Sequence, residues 1–301
     1  MYGAIIGDII GSKYEFDNIK TKDFPLISEG CSYTDDSIMT AAVARALLRA
    51  HEGAEFRPVL IEEMQSFGRT YSHPQGGYGR RFSTWLHSGD PQPYNSYGNG
   101  SAMRASPCGI IAVTLDEALA LAKVSAEVTH NHPEGIKGAQ AVAAAVFLAK
   151  RSLNKDQIRE YLQENFYPLD RSLDEIRPDY GFYESCQKTV PEAIQAFLES
   201  VSYEDAIRNA VSLGGDSDTI GAITGAIAWS YYRFSPLESI YNTDKKPGRV
   251  WPKWCEDLIG EQGIDSMLPE DFVELIEEFD KISFLRWESF ERRGACRQIL
   301  P

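Results

Sequence analysis

Apolar residues recur every three to four positions over long stretches of the chain, at Ser37–Ala50, Leu115–Val128, Pro133–Lys150, Val190–Ser200 and Tyr203–Leu213, which is the period of a helix with one buried face. Strand-like alternation is scarce. Thr114-Leu115-Asp116-Glu117 fits a capping box, and Asn154 and Ser202 read as N-caps of the segments that follow them. Near the end, Phe272, Leu275, Ile276 and Phe279 share one face of an acidic helix introduced by Pro269. These elements predict a mostly α protein. No linker-like stretch and no internal repeat divides it, so a single domain over residues 1–301 is expected.

Two predicted helices, Gly138–Ala149 and Ile220–Ser230, are rich in Ala and Gly and nearly free of charge, which suits close packing at the centre of a bundle. Gly7 and Gly11 recur at one-turn spacing in a third such segment, Gly3 to Glu15, and permit close backbone approach. Between the helices, Tyr71–Gly79 and Gly89–Gly100 are dense in Gly, Pro, Ser, Asn and Tyr, a composition that marks functional loops when it lies beside motifs of the kind described below. Tyr167–Asp179 is a further irregular stretch.

Composition narrows the classes. At 43% hydrophobic content, 301 residues bury a substantial core, and the formal charge of −14 argues against a broad surface for nucleic acid or anionic membrane. Any anionic ligand needs local help from metals, Arg side chains or helix N-termini. The five cysteines, Cys31, Cys108, Cys186, Cys255 and Cys296, are scattered and form no zinc pattern, which fits a reducing, cytoplasmic setting. Met1 to Ile10 lacks a basic flank and carries Asp8, so no signal peptide is expected there, and no stretch approaches the roughly 18 apolar residues of a membrane span.

The candidate chemistry lies in two acidic clusters far apart in the chain, Tyr33-Thr34-Asp35-Asp36-Ser37 and Gly214-Gly215-Asp216-Ser217-Asp218-Thr219. Together they offer four carboxylates and two threonine hydroxyls, hard oxygen donors of the kind that Mg²⁺, Mn²⁺ or Ca²⁺ prefers. Four carboxylates exceed what one octahedral Mg²⁺ needs, so a pair of ions is expected. Each cluster also precedes an apolar helical run, and Asp and Thr are common N-caps. Spacing does not separate capping from ligation, and one helix start can do both.

Taken in order, Gly3–Glu15, Thr34-Asp35-Asp36, Ser96-Tyr97-Gly98-Asn99-Gly100-Ser101-Ala102-Met103-Arg104, Thr129-His130 and Gly214–Thr219 closely resemble the motifs of the ADP-ribosylglycohydrolase family, over at least Gly3 to Trp229. The resemblance implies a compact, all-α, orthogonal multi-helix domain with a binuclear Mg²⁺ centre, in which Mn²⁺ can substitute, below an ADP-ribose cleft. Thr34, Asp35, Asp36, Asp216, Asp218 and Thr219 would be ligands, with Asp218 bridging the ions. Glu15 would be a ligand or general base; without the resemblance it reads as a solvated residue at a helix end. Gly77-Tyr78-Gly79 and Ser96 to Gly100 would hold the diphosphate and the distal ribose or adenine. A helix beginning near Ser101 would add a favourable dipole. Tyr97 is the expected adenine face, with Tyr94 a second contact. His130 would donate to a phosphate or ribose oxygen, a role given less weight for His132, while Arg104 would support the cleft from behind by pairing a buried acid. Ser37 stands where many relatives have threonine, which leaves the ligands untouched.

The implied activity is Mg²⁺-dependent hydrolysis of the C1″ glycosidic bond of ADP-ribose, freeing a protein side chain or small acceptor, with Glu15, Asp35 and Asp218 as catalytic residues. A monomer acting on ADP-ribosylated substrates is expected, with no membrane or nucleic-acid partner. Two alternatives differ in class: a non-catalytic, crystallin-like ADP-ribose binder, whose mark would be lost ligands, and a metal-dependent nucleotide or phosphoester hydrolase. For the acceptor the hints conflict, since the acidic surface favours arginine while Glu15 and the glycine loops look more like the serine-directed branch.

Overall fold

The computed structural model describes residues 1–151, 153–233 and 263–293. Cys255 and Cys296 lie outside them; Cys31, Cys108 and Cys186 are buried free thiols. The described chain folds as helices α1 (Tyr2–Ser12), α2 (Asp35–His51), α3 (Phe56–Thr70), α4 (Arg80–Leu86), α5 (Gly100–Met103), α6 (Ser106–Ile111), α7 (Leu115–Glu127) and α8 (Pro133–Lys150). The series continues with α9 (Lys155–Asn165), α10 (Leu173–Ile176), α11 (Cys186–Leu198), α12 (Tyr203–Ser212), α13 (Ser217–Arg233) and α14 (Glu270–Arg292). Among the described residues there is no strand, only isolated bridges at Thr34–Gln75 and Gly98–Ser185. The fold is all-α, as expected.

The periodic segments start where their caps say they should. Asn154 and Gln157 close a full capping box on α9, and the Ser202 hydroxyl accepts from Asp205 N–H on α12. At α7 the box is shifted: Thr114 accepts from Glu117 N–H, but the Glu117 carboxylate takes Val113 N–H rather than that of the cap itself. Helix α11 begins at Cys186, ahead of the expected Val190, and accommodates Pro191 inside. Its start is held from outside, because Cys186 N–H donates to Tyr97 O at 3.0 Å. On α14, Phe272, Leu275, Ile276 and Phe279 are all buried, as the spacing predicts.

Helices α1 and α13 form the tightest pair, and glycine makes it possible. A Cβ on Gly7 would lie 2.0 Å from Gly221 O, and one on Gly225 would lie 2.1 Å from Gly3 O. Both backbones therefore touch along their length. This pairing sets the site, because it carries the end of α1, and with it Glu15, to the start of α13, and with it Asp216 and Asp218. Helix α2 packs beside them.

Candidate metal centre and its cleft

The two acidic clusters meet. Thr219 Oγ1 donates to Asp36 Oδ2 at 3.2 Å across 183 residues of sequence. Oxygen atoms of Glu15, Asp216 and Asp218 lie within 4.8 Å of one another. The approach to α13 turns through Gly214 and Gly215, at φ 68° and 75°, where a Cβ would be strained. Asn18 staples this turn to the Glu15 loop: its side-chain oxygen accepts from Gly215 N–H at 2.7 Å, and its amide donates to Gly215 O, Tyr14 O and Glu15 O. Nothing in the sequence marks Asn18 for this role.

Thr34 does what a cap does while it lies against the acidic cluster. Its hydroxyl oxygen accepts from Asp36 N–H at 3.2 Å and donates to Asp8 Oδ1 at 2.7 Å. Asp8 is fully buried and also accepts from Thr34 N–H, Ser37 N–H and the Ser37 hydroxyl. Its oxygens thus accept from four donors. The acid in the Gly7-Asp8 segment was the available signal, yet its partners became visible only when α1 reached α2. The Ser37 hydroxyl is thus spent on Asp8.

The other acids differ. Asp36 Oδ1, Asp218 Oδ1 and Glu15 Oε2 are buried without a hydrogen bond among the described residues. Glu15 is only 9% exposed, which corrects the view of it as a solvated helix end. Burial, then the charges of Asp216, Asp8 and Glu184, push its carboxyl up to about 7. Asp35, Asp36 and Asp218 are likewise raised well above the ordinary carboxylate range, first by burial and then by their acidic neighbours. Buried carboxylate oxygens lacking donors, converging from three chain segments with two hydroxyls beside them, fit a divalent cation site of hard oxygen ligands.

Around this floor the predicted loops divide. Asn99 is buried, and its amide donates to Asp216 Oδ2 at 2.6 Å, so it orients a candidate ligand. Tyr78 commits its hydroxyl to Tyr71 O at 2.8 Å. Gly76, at φ 75°, passes so close to Glu15 that a Cβ would lie 2.8 Å from Oε2, while Gly77 and Gly79 face open space. Ser96 Oγ accepts from Gly98 N–H, folding the loop beneath Tyr97, which is half exposed and meets His132 edge-on. Helix α5 is a single turn, too short for the dipole expected near Ser101.

A groove of about 390 Å³ runs between Arg81, Ser96, Tyr97 and Gly98 on one side and Phe182 and Tyr183 on the other. Arg81 sits over the Tyr94 ring, which in turn packs on His130. Phe16, next to Glu15 in the chain, stacks on Phe182, an exposed pair that no motif singles out. Arg104 is almost wholly buried but pairs no acid among the described residues: it donates to Gly100 O, Ser125 O and Thr129 Oγ1, which corrects the expectation for it.

Comparison with known proteins bears on the family and the fold. The family model of ADP-ribosylglycohydrolase matches residues 1–279. ADP-ribosylhydrolase ARH3 of Gallus gallus is 26% identical over 85% of this chain and 92% of its own, and that of Homo sapiens is 25% identical over 84% and 87%. ADP-ribosylarginine hydrolase Tri1 of Pseudomonas putida (strain GB-1) is 24% identical over 94% of this chain and 80% of its own. A solved ADP-ribosylglycohydrolase-related protein complex shares the fold, with a TM-score of 0.61 and 22% identity over 95% of both chains.

Proposed function

The chain belongs to the ADP-ribosylglycohydrolase family, and from that membership and the cleft we propose that it is a divalent-metal-dependent hydrolase of the C1″ glycosidic bond of ADP-ribose joined to an acceptor. The observation that carries the metal dependence is the convergence of Glu15, Asp216 and Asp218 with Asp36 and Thr219, several of whose oxygens lack a donor. Thr34, Asp35, Asp36, Asp216, Asp218 and Thr219 would hold two Mg²⁺ ions. When bound, such ions neutralise the carboxylates, orient the ribose hydroxyls and stabilise negative charge.

The chain's own groups supply the rest. Glu15, raised to about 7, can take a proton from the attacking water and return it to the leaving acceptor as the C1″ bond breaks. Water thereby divides between ADP-ribose, which gains the hydroxyl, and the acceptor, which gains the proton. Gly77 and Gly79 leave the loop backbone open to a diphosphate, and Tyr97 offers a face for adenine.

The test offers purified protein arginine-linked, serine-linked and O-acyl-linked ADP-ribose, with Mg²⁺ and with chelator. Release of free ADP-ribose that chelator abolishes is expected, and the arm that responds names the acceptor. Release of phosphate or AMP would point instead to a phosphoester hydrolase, and release of nothing with retained ADP-ribose binding to a non-catalytic binder.

A further inference from the structure

The hydrogen bonds behind the cleft wall leave His130 only one way to hold its proton. Arg104 donates to Thr129 Oγ1 at 2.7 Å, and a guanidinium has only donors, so the threonine oxygen accepts there. Thr129 is fully buried and has a single hydroxyl proton to place. Its other contact is His130 Nδ1, also at 2.7 Å. Were Nδ1 protonated, two donors would converge on Thr129 and its own proton would be buried without an acceptor, a costly arrangement. Nδ1 therefore accepts from Thr129, and the proton of the neutral ring lies on Nε2.

Nε2 is also the atom left for a ligand. It has no hydrogen-bond partner among the described residues, and it looks out between Gly98 and Gly100, where an added Cβ would come within 3.5 and 3.4 Å of it. Glycine at both positions keeps the N–H uncovered. Burial, and then the charges of Arg104 and Arg81, hold the imidazole well below its ordinary pKa, so the ring does not gain a second proton at neutral pH.

We propose that Arg104 and Thr129 are positioning residues that lock His130 in its Nε2–H tautomer, so that the wall presents one fixed, neutral donor to an acceptor oxygen of the ligand. The tautomer follows from the hydrogen bonds alone; that the oxygen belongs to the ribose or diphosphate of ADP-ribose rests on the function proposed above. One chemical consequence is that His130 cannot serve as a base, which leaves proton handling to Glu15.

The test uses the full chain with Mg²⁺, ¹⁵N-labelled histidine and two-bond ¹H–¹⁵N correlation spectra. His130→Gln identifies the His130 signals among the five histidines. Wild type should show Nε2 protonated and Nδ1 bare; a protonated Nδ1 overturns the proposal. Thr129→Val keeps the shape but removes the hydroxyl, and should mix or invert the tautomers and weaken binding of free ADP-ribose by about tenfold. Thr129→Ser should restore both. An unchanged tautomer in Thr129→Val overturns the relay, and should that variant not fold, Thr129→Ala is read by the same criterion. A wild-type protein with the expected tautomer that does not bind ADP-ribose overturns the ligand reading and leaves the relay intact.

Discussion

On the floor of the cleft, Asp36 Oδ1, Asp218 Oδ1 and Glu15 Oε2 are buried with no donor to meet them among the described residues, whereas on the wall Arg104 Nη2, Thr129 and His130 are joined in one hydrogen-bonded chain that leaves the His130 Nε2 outward, with only Arg104 Nε lacking a partner in that chain. Both regions are polar and both are shut away from water, but they obtain their order from different sources. The wall is organised by the chain itself. The floor is left short of positive charge, and like carboxylates held together in a low dielectric call for a cation. Asp8 marks the boundary: it lies beside the floor, yet its four donors make it resemble the wall.

The sharpest way to break this comparison is to delete a floor carboxylate. Asp35→Ala or Asp218→Ala should take release of ADP-ribose below detection and abolish tight Mg²⁺ binding by calorimetry. The same variants should melt no lower than wild type in chelator, because they remove repulsion that only a metal offsets. Full activity in either would refute the ligand assignment. Glu15→Gln comes next, with kcat expected to fall by about 10²–10⁴-fold. If Glu15 works as the base, Mg²⁺ affinity stays near that of wild type, and if it is chiefly a ligand, affinity falls in step with kcat.

Asp8→Asn probes the boundary and should have the smallest effect of the three. The substitution replaces an acceptor-only carboxylate by a group with donors of its own, so the Thr34 hydroxyl loses the partner that turns its proton away from the floor. Mg²⁺ binding should weaken by about tenfold while the α-helical circular dichroism is retained. Unaltered affinity would show that Asp8 belongs with the wall in function as well as in bonding.

The site was legible in the sequence to different depths. Thr34, Asp35, Asp36, Asp216, Asp218 and Thr219 announce themselves because four acids beside two apolar helix starts are unusual, and Gly7 announces close packing because a bare backbone one turn from Gly11 has few other uses. Asn18 and Thr129 carry no such mark, since a lone Asn or Thr is ordinary anywhere. Arg104 was misread for a related reason: a buried cation ordinarily finds a carboxylate, and only the fold shows two carbonyls and a hydroxyl in its place. Phe16 and Phe182 acquire meaning only as a pair.

Helical period, caps and glycine spacing are local properties, written within a few residues of where they act, and the sequence by itself determined them: an all-α chain with two acidic helix starts and glycine-faced helices. Which oxygens go without donors is not local. It depended on α1 pressing against α13 at glycine contact, which puts Glu15 beside Asp216 and Asp218 and places Asp8 under Thr34. Hydrogen bonds saturate, so only the tertiary structure, by placing the nearby donors, could decide which carboxylate oxygens were left without a partner and which nitrogen of His130 faces the cleft.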